Sequence, residues 1–512
     1  MKSKLIEKKY LVTFILVTSL FALWGFANDI TNPMVAAFQT VMELSPFEAS
    51  WVQFAFYGGY ATMAVPAALF IRRYSYKSGI LLGLGLYAIG AFLFIPAAYM
   101  QNFIFFCMSL YILTFGLAFL ETTANPFILS LGSKDTSTRR LNLAQAFNPM
   151  GSLLGMAVAS FIVLPSLVSD FRSADGSNIY EAALSEKAVV IPDSSVAEEN
   201  AVVDGFTWVW AADANIKEKN DTVAVAYTDF SNYIDKSISQ GVDLSSIRVR
   251  VDSTVLNGEE KAPLVFTDKE KGDVRYHDLN EIRNPYVILG IVVVLIFIVF
   301  VLKKMPQTSS EDKQDKASAT LRRLWHNTIY REGVVAQMFY VAAQIMVWTF
   351  IIQYADNLGI NKATAQNYNI VAMIMFLCSR FITTFLMKYV NSRVLLAVFG
   401  VGAMLCSLGT ILFVGMAGLY CLVAISAFMS LMFPTIYGIA LEDVDSQDTS
   451  LGAAFLVMAI VGGAVMPPLQ GLIIGQEVIC GCPAVNISFV LPLVCFLVVT
   501  VYGMRSYKKM KG

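Results

Sequence analysis

An all-α membrane protein with twelve transmembrane helices is the fold class this sequence predicts, on three observations. Of its 512 residues 56% are hydrophobic and only 15% are charged, against roughly 45–50% and about 25% in soluble domains. Apolar runs long enough to cross a bilayer, about 20 residues each, recur along the chain. Lys and Arg punctuate alternate junctions between those runs.

The expected spans are residues 11–41, 48–71, 78–99, 103–130, 140–165, 286–303, 331–355, 365–388, 393–414, 417–441, 450–475 and 486–504. Basic residues cluster at the N-terminus, at Arg72, Arg73 and Lys77, and at Lys134, Arg139 and Arg140. They recur at Lys303 and Lys304, at Arg322 and Arg323, at Lys388 and Arg393, and in the tail from Arg505 to Lys511. If the spans alternate, all of these share one face, which places both termini in the cytoplasm. Lys2, Lys4, Lys8 and Lys9 precede an apolar segment too long for a signal-peptide core, so no cleaved leader is expected.

Five segments follow. Residues 1–165 hold spans one to five, and 166–284 form a polar insertion on the external face. Span six occupies 285–304, a cytoplasmic linker 305–329, and the second helical half 330–512. The insertion is rich in Asp, Ser and Asn; alternation in Thr222–Thr228 and Ile247–Val255 suggests strands of a small β-containing domain.

The two halves look related. Sliding the chain on itself until Pro126 meets Pro434 also brings Asp135 to Asp443, Phe147 to Phe455, Met150 to Met458 and Gly155 to Gly463. Two parallel six-helix pseudo-repeats fit this, the arrangement of the major facilitator fold. The same alignment sets Glu121 on Met429, Gln145 on Ala453 and Asn148 on Leu456. A scaffold that accepts apolar groups at all three places does not need polar ones for packing, so those of the first half point to chemistry.

Glu121 lies in a span whose other residues are apolar or small, where an ionisable group costs roughly 2.5–3.5 kcal/mol on insertion scales. No Lys or Arg in that span neutralises it, and a carboxyl group so placed can exchange a proton when water reaches it. Asn28, Asp29, Thr31 and Asn32 form a polar break in span one. Asp29 and Asn32, three apart, share a helix face, and Pro33 follows. Gln145 and Asn148 are likewise three apart in span five, with Asn142 one turn earlier. Amides both donate and accept, which suits sugar hydroxyls. The alternative for these amides is interhelical bonding. In the second half Gln344, Trp348 and Gln353 fall in span seven, and Arg380 is a cation at depth in span eight, placed for function or reaching toward the interface. Together these side chains imply a polar cavity in a membrane transporter.

Other classes lack their signatures. Both histidines, His277 and His326, lie outside the apolar spans, so a transmembrane histidine relay is not expected. There is no P-loop, no HExxH and no nucleophile elbow, hence no enzyme and no ATP-driven pump within the chain. The 7 cysteines show no metal-ligand spacing. Cys480 and Cys482 are close in a short external loop, where a disulfide would be strained. No cofactor, metal, nucleic acid or obligate protein partner is expected.

The stretches LETTANPF (120–127), RLNLAQAFNPMG (140–151), FYGGYATMAVPA (56–67), YVAAQIMVWTF (340–350) and SAFMSLMFPTIYG (426–438) resemble the bacterial L-fucose–proton symporters, in the fucose–galactose–glucose branch of the major facilitator superfamily. The resemblance spans nearly the whole chain except 166–284. It implies alternating access around a central sugar cavity in a bacterial inner membrane, with proton and sugar as partners and L-fucose the expected sugar. It puts the protonation site on Glu121 and the sugar-binding amides on Gln145 and Asn148. Where the family usually has Asn-x-x-Asp in span one, this chain has Asp29-x-x-Asn32, so Asp29 is expected to take the carboxylate role, sharing the proton or binding sugar. Asn28, Asn32, Gln344 and Trp348 complete the expected binding set. The rival readings are a glucose or galactose carrier coupled to protons or sodium, and a non-transporting membrane sugar sensor.

Overall fold

The computed structural model describes residues 6, 8–44, 48, 51–173, 176–193, 202–203, 206–207, 222–257, 261–305, 317–358, 360, 362–445, 447–474, 476, 478–479 and 481–511. Twelve helices among them are long and apolar enough to cross a membrane: Leu11–Thr31, Phe54–Arg73, Tyr76–Tyr99, Phe103–Ser130, Ser137–Ser166, Asp268–Leu302, Thr328–Ala355, Asn367–Leu386, Ser392–Leu412, Met416–Glu442, Thr449–Ile474 and Ala484–Met510. They are called the first to twelfth spans below. The first belongs to a helix that continues to Val41. With twelve alternating spans, both termini fall on one side and the segment between spans five and six on the other.

Packing repeats between the halves. The first span packs on the fifth, the third on the fourth and sixth, and the second on the fourth. The same partnerships recur six spans later: seventh on eleventh, ninth on tenth and twelfth, eighth on tenth. Two glycines show how close the backbones come. A side chain at Gly155 would meet the Phe26 carbonyl at 2.6 Å, and one at Gly463 would meet Ile345 at 2.9 Å. Positions that coincide when the chain is slid on itself thus do one job, letting the fifth span reach the first and the eleventh reach the seventh.

Buried Arg140 closes the turn between the fourth and fifth spans. It donates to the carbonyls of Ile128 (2.8 Å), Leu129 (2.6 Å) and Ser133 (3.3 Å) and to Thr136 Oγ1 (3.2 Å). These are acceptors that the end of a helix leaves open, and a cation suits the negative end of the helix dipole.

The insertion folds on its own apolar core, built from residues such as Tyr180, Val190, Phe230, Tyr233 and Ile247 and separate from that of the bundle. Strand Ala188–Ile191 pairs in parallel with Val223–Ala226 and antiparallel with Ala262–Pro263. Helices Tyr227–Ser239 and Ser245–Leu256 cover it. The strand expected at Ile247–Val255 is therefore a helix. Ile247 and Val251 are buried four apart, while Val249 between them is 63% exposed. A period of four satisfies the helix where the alternation of valines suggested a strand. The strand expected over Thr222–Thr228 is present at Val223–Ala226.

Two further boundaries differ from expectation. The helix of the sixth span starts before the apolar stretch expected from 285, at Asp268, because Thr267 and Glu270 form a capping box and the helix then runs through Pro285 to Leu302 without a break. The linker contains an amphipathic helix, Ala317–His326. Its Thr320 donates to Asp448 Oδ1 at 2.7 Å, and its Arg323 reaches both oxygens of Asp448 at 2.6 and 2.7 Å. Burial opposes charge on Asp448, yet the bonds from Arg323 and Thr320 outweigh it and hold the carboxyl below the usual carboxylate range. Cys482 carries no disulfide, and Cys480 lies outside the described residues.

The base of the insertion is held through the outer part of the sixth-span helix. Fully buried Asp278 accepts from the backbone N–H groups of Val168 (2.9 Å) and Ser169 (2.8 Å) and lies 2.9 Å from His277 Nδ1. Arg275 pairs with Glu43, after the first span, at 2.7 Å. Asp278→Ala orphans two buried donors, each costing about 1–3 kcal/mol. The expected outcome is a lowered melting temperature and faster protease cleavage within 167–267; unchanged proteolysis would contradict this role for Asp278.

Candidate functional site

A cavity of about 130 Å³ lies between the two halves. Helical spacing decides which side chains reach it. The first span presents Phe21, Trp24 and Asn28, the fifth Gln145, Asn148 and Ser152, and the eighth Met373, Phe376 and Arg380. Each set follows the steps of three and four that mark one helix face. Asp29, Tyr57, Tyr60, Glu121, Gln344, Trp348 and Phe433 complete most of the wall. The cavity thus brings together Glu121, Asp29, Asn28, Gln145, Asn148, Gln344 and Trp348. Asn32 lies in the first helix, but its side chain is outside the described residues.

Glu121 makes no hydrogen bond or ion pair among the described residues. Tyr60 and Tyr437 are within electrostatic reach of it, and Tyr57 is within reach of Asp29. Arg380 shares the cavity but is committed elsewhere. Its guanidinium donates to the carbonyls of Ser430 and Gln145, the latter at 3.0 Å, and lies 4.5 Å from the centre of the Phe376 ring. The cation in the eighth span is therefore buried inside the protein rather than reaching for the interface.

One turn beyond Glu121 stands Asn125, whose Oδ1 accepts from Gln145 Nε2 at 2.8 Å. This bond turns the Gln145 amide and ties the carboxyl-bearing fourth span to the amide face of the fifth. Trp24 donates its indole N–H to the Leu117 carbonyl at 3.2 Å, and Trp348 donates to Ser426 Oγ at 3.2 Å. With their polar ends satisfied by protein, both tryptophans contribute ring surface to the cavity. Trp348 also meets Phe376 edge-on, 5.1 Å between centroids.

Some side chains do other work. Asn142 does not line the cavity; it donates to Thr435 Oγ1 at 3.2 Å, across to the tenth span. Gln353 is exposed. Tyr57, Tyr60, Phe376 and Phe433 went unrecognised because an aromatic residue in an apolar span carries no signal of its own. Their only trace is spacing relative to neighbours that are polar.

The halves meet on the side that carries both termini. Arg139 Nε donates to the Thr384 carbonyl at 3.1 Å, Asn142 reaches Thr435, and Arg380 reaches Gln145. A side chain at Gly438 would fall 2.7 Å from Thr138 Oγ1. All lie where the fifth span begins and the eighth and tenth end. The cavity is sealed there.

The family model described as Major Facilitator Superfamily matches residues 14–174 and 276–467, leaving the core of the insertion unmatched. The chain belongs to the Major Facilitator Superfamily. Among its superfamily relatives, the protein of Haemophilus influenzae named L-fucose-proton symporter is 51% identical over the full length of both chains. The Escherichia coli protein of the same name is 29% identical, over 97% of this chain and 93% of the other. A crystal structure of the superfamily transporter FucP, in the outward conformation, superposes with a TM-score of 0.71 at 28% identity, covering 98% of this chain and 99% of that one.

As a superfamily member the chain is an integral membrane protein, and its seam is open to test. A hydrogen bond contributes about 1 kcal/mol net, so Asn142→Ala should shift the closed-to-open balance about fivefold. A cysteine placed at Thr138, in a background without the native cysteines, should react about fivefold faster with a thiol reagent. An unchanged rate would remove Asn142 from the seam.

Proposed function

We propose that this protein is a proton-coupled symporter that imports a neutral monosaccharide, L-fucose, across a bacterial inner membrane. In this reading both termini are cytoplasmic, the insertion is external, and the described state faces outward. The observation that carries the proposal is the placement of Glu121, a carboxyl group with no ion-pair or hydrogen-bond partner among the described residues, in one cavity with two amides on a single helix face. The 51% identity to a relative named for this activity supports the sugar and the ion.

The mechanism follows from the groups present. Gln145 and Asn148 bind sugar hydroxyls, with Asn28 and Gln344 offering further donors and acceptors. Trp24 and Trp348 pack against the apolar faces of the ring. A neutral sugar brings no charge to offset that of Glu121, so charge must leave by proton uptake before the cavity can close to water. Asp29 shares that proton or binds a hydroxyl. Once both are aboard, the seam at Arg139, Asn142 and Arg380 parts and the halves rock about the site. Release to the cytoplasm lets water reach Glu121 and take the proton.

Arg380 fits this scheme as a structural cation. Its Nε and Nη1 donate to one carbonyl of each half, so it bridges the two bodies until the seam parts and the Gln145 bond is given up. Glu121, with no cation paired to it among the described residues, also disfavours an anionic substrate, which argues for a neutral one.

The test is purified protein in vesicles, supplied with L-fucose, D-glucose or D-galactose while external pH is recorded, with and without sodium. L-fucose should alkalinise the medium without sodium. Glu121→Gln should still exchange labelled sugar yet give neither alkalinisation nor accumulation. Sodium-dependent uptake with no pH change would overturn the coupling. Equal responses to D-glucose would overturn the substrate, and sugar binding without flux would favour a sensor.

A further inference from the structure

A second hollow, about 720 Å³, opens on the side of the bundle that carries both termini. Its floor and walls are apolar: Leu321 and Trp325 from the linker helix, Val335 from the seventh span, Phe455 from the eleventh, and Val498 and Val501 from the twelfth. Trp325 is 69% exposed and Val335 50%. The rim is charged. Arg331 stands 5.7 Å from the centre of the Trp325 ring, and Arg505 pairs with Glu332 at 2.7 Å while keeping more than half of its side chain exposed. Two guanidiniums against one carboxylate leave the rim positive, and exposed Lys508 and Lys509 extend that charge along the tail.

Depth, apolar walls and a positive rim describe the complement of an amphiphile with a hydrocarbon tail and an anionic head. The volume falls in the range of organic ligand sites, about 300–1,000 Å³, and is far more than an ion requires. The location fits too. The linker helix is amphipathic, its tryptophan sits where a bilayer meets water, and the cationic cluster follows the end of a membrane span. Basic pockets between spans at that level attract anionic lipid head groups.

We propose that this groove is a binding site for an anionic phospholipid. One acyl chain lies between the linker helix and the seventh and twelfth spans, and the phosphate sits between Arg331 and Arg505. Glu332 weakens the attraction by occupying one side of Arg505. The linker helix is also clamped to the eleventh span through Arg323 and Asp448, so the lipid fills the gap left between two parts of the second half that are already joined at one end. The site is separate from the sugar cavity and does not depend on which sugar is carried.

The test uses the purified full-length protein in detergent. Native mass spectrometry and thermal melting are followed as phosphatidylglycerol, phosphatidylcholine with the same acyl chains, or glycerol phosphate is added. Phosphatidylglycerol should be retained and should raise the melting temperature more than phosphatidylcholine, and glycerol phosphate should do neither. Replacing both arginines (R331Q with R505Q) should weaken phosphatidylglycerol binding about thirtyfold, to the level of phosphatidylcholine. Glu332→Gln should strengthen it, and Val501→Trp should displace both lipids. Equal retention of the two lipids by the native protein would overturn the proposal, as would a preference that survives loss of both arginines. So would a thermal shift from glycerol phosphate matching that from the lipid, which would make this a phosphate site without a lipid chain.

Discussion

A carboxyl group set among apolar helices, with no cation paired to it among the described residues, is the constraint on which this bundle depends. Roughly 2.5–3.5 kcal/mol is needed to hold such a group at mid-membrane, and among the described residues no hydrogen bond or ion pair to Glu121 offsets it. In the proposed mechanism, water access and proton exchange are what make the placement tolerable. The cavity, the amide face of the fifth span and the seam beneath it all follow as conditions for controlling that access. Arg380 shows the contrast. It too is buried at depth, but it donates to one carbonyl of each half and lies over an aromatic face, so protein dipoles answer its charge in the described state.

The two halves are related in packing and divided in chemistry. Equivalent glycines bring the fifth span to the first and the eleventh to the seventh, so the scaffold is built as two similarly packed bodies. The carboxyl groups and the fifth-span amides belong to the first body, while the second supplies Gln344, Trp348, Phe376 and Arg380. A solute bound by groups on both bodies experiences their relative motion directly, which is what a rocking mechanism needs. The external insertion rides on the first body through Asp278 and the Arg275–Glu43 pair, leaving the approach of the second body unconstrained by it among the described contacts.

Spans and polar faces were legible because each is a one-dimensional property. Length and hydropathy mark the spans, and a spacing of three placed Gln145 beside Asn148. The comparison of halves isolated Glu121 because its counterpart, Met429, is apolar. What escaped depends on a partner distant in sequence. Asn142 has the same spacing as Gln145, yet Thr435 in the other half claims it for the seam. Ile247, Val249 and Val251 fit a strand and a helix equally until a core exists to bury alternate turns. Tyr57 and Tyr60 look like packing residues until a carboxyl group appears across the cavity. The linker helix was hidden by short length and mixed charge, and it takes its place through Asp448, more than a hundred residues away.

In the proposed mechanism Glu121 is the group through which proton binding permits the halves to move. The most direct measurement is the distance between spin labels on the two bodies, placed at the seam side, with and without L-fucose across a range of pH. In the native protein the sugar-driven change should require acid conditions, and in Glu121→Gln it should occur at every pH. A variant whose distances keep the native pH dependence would contradict the account, since the proton that governs the motion would then reside elsewhere.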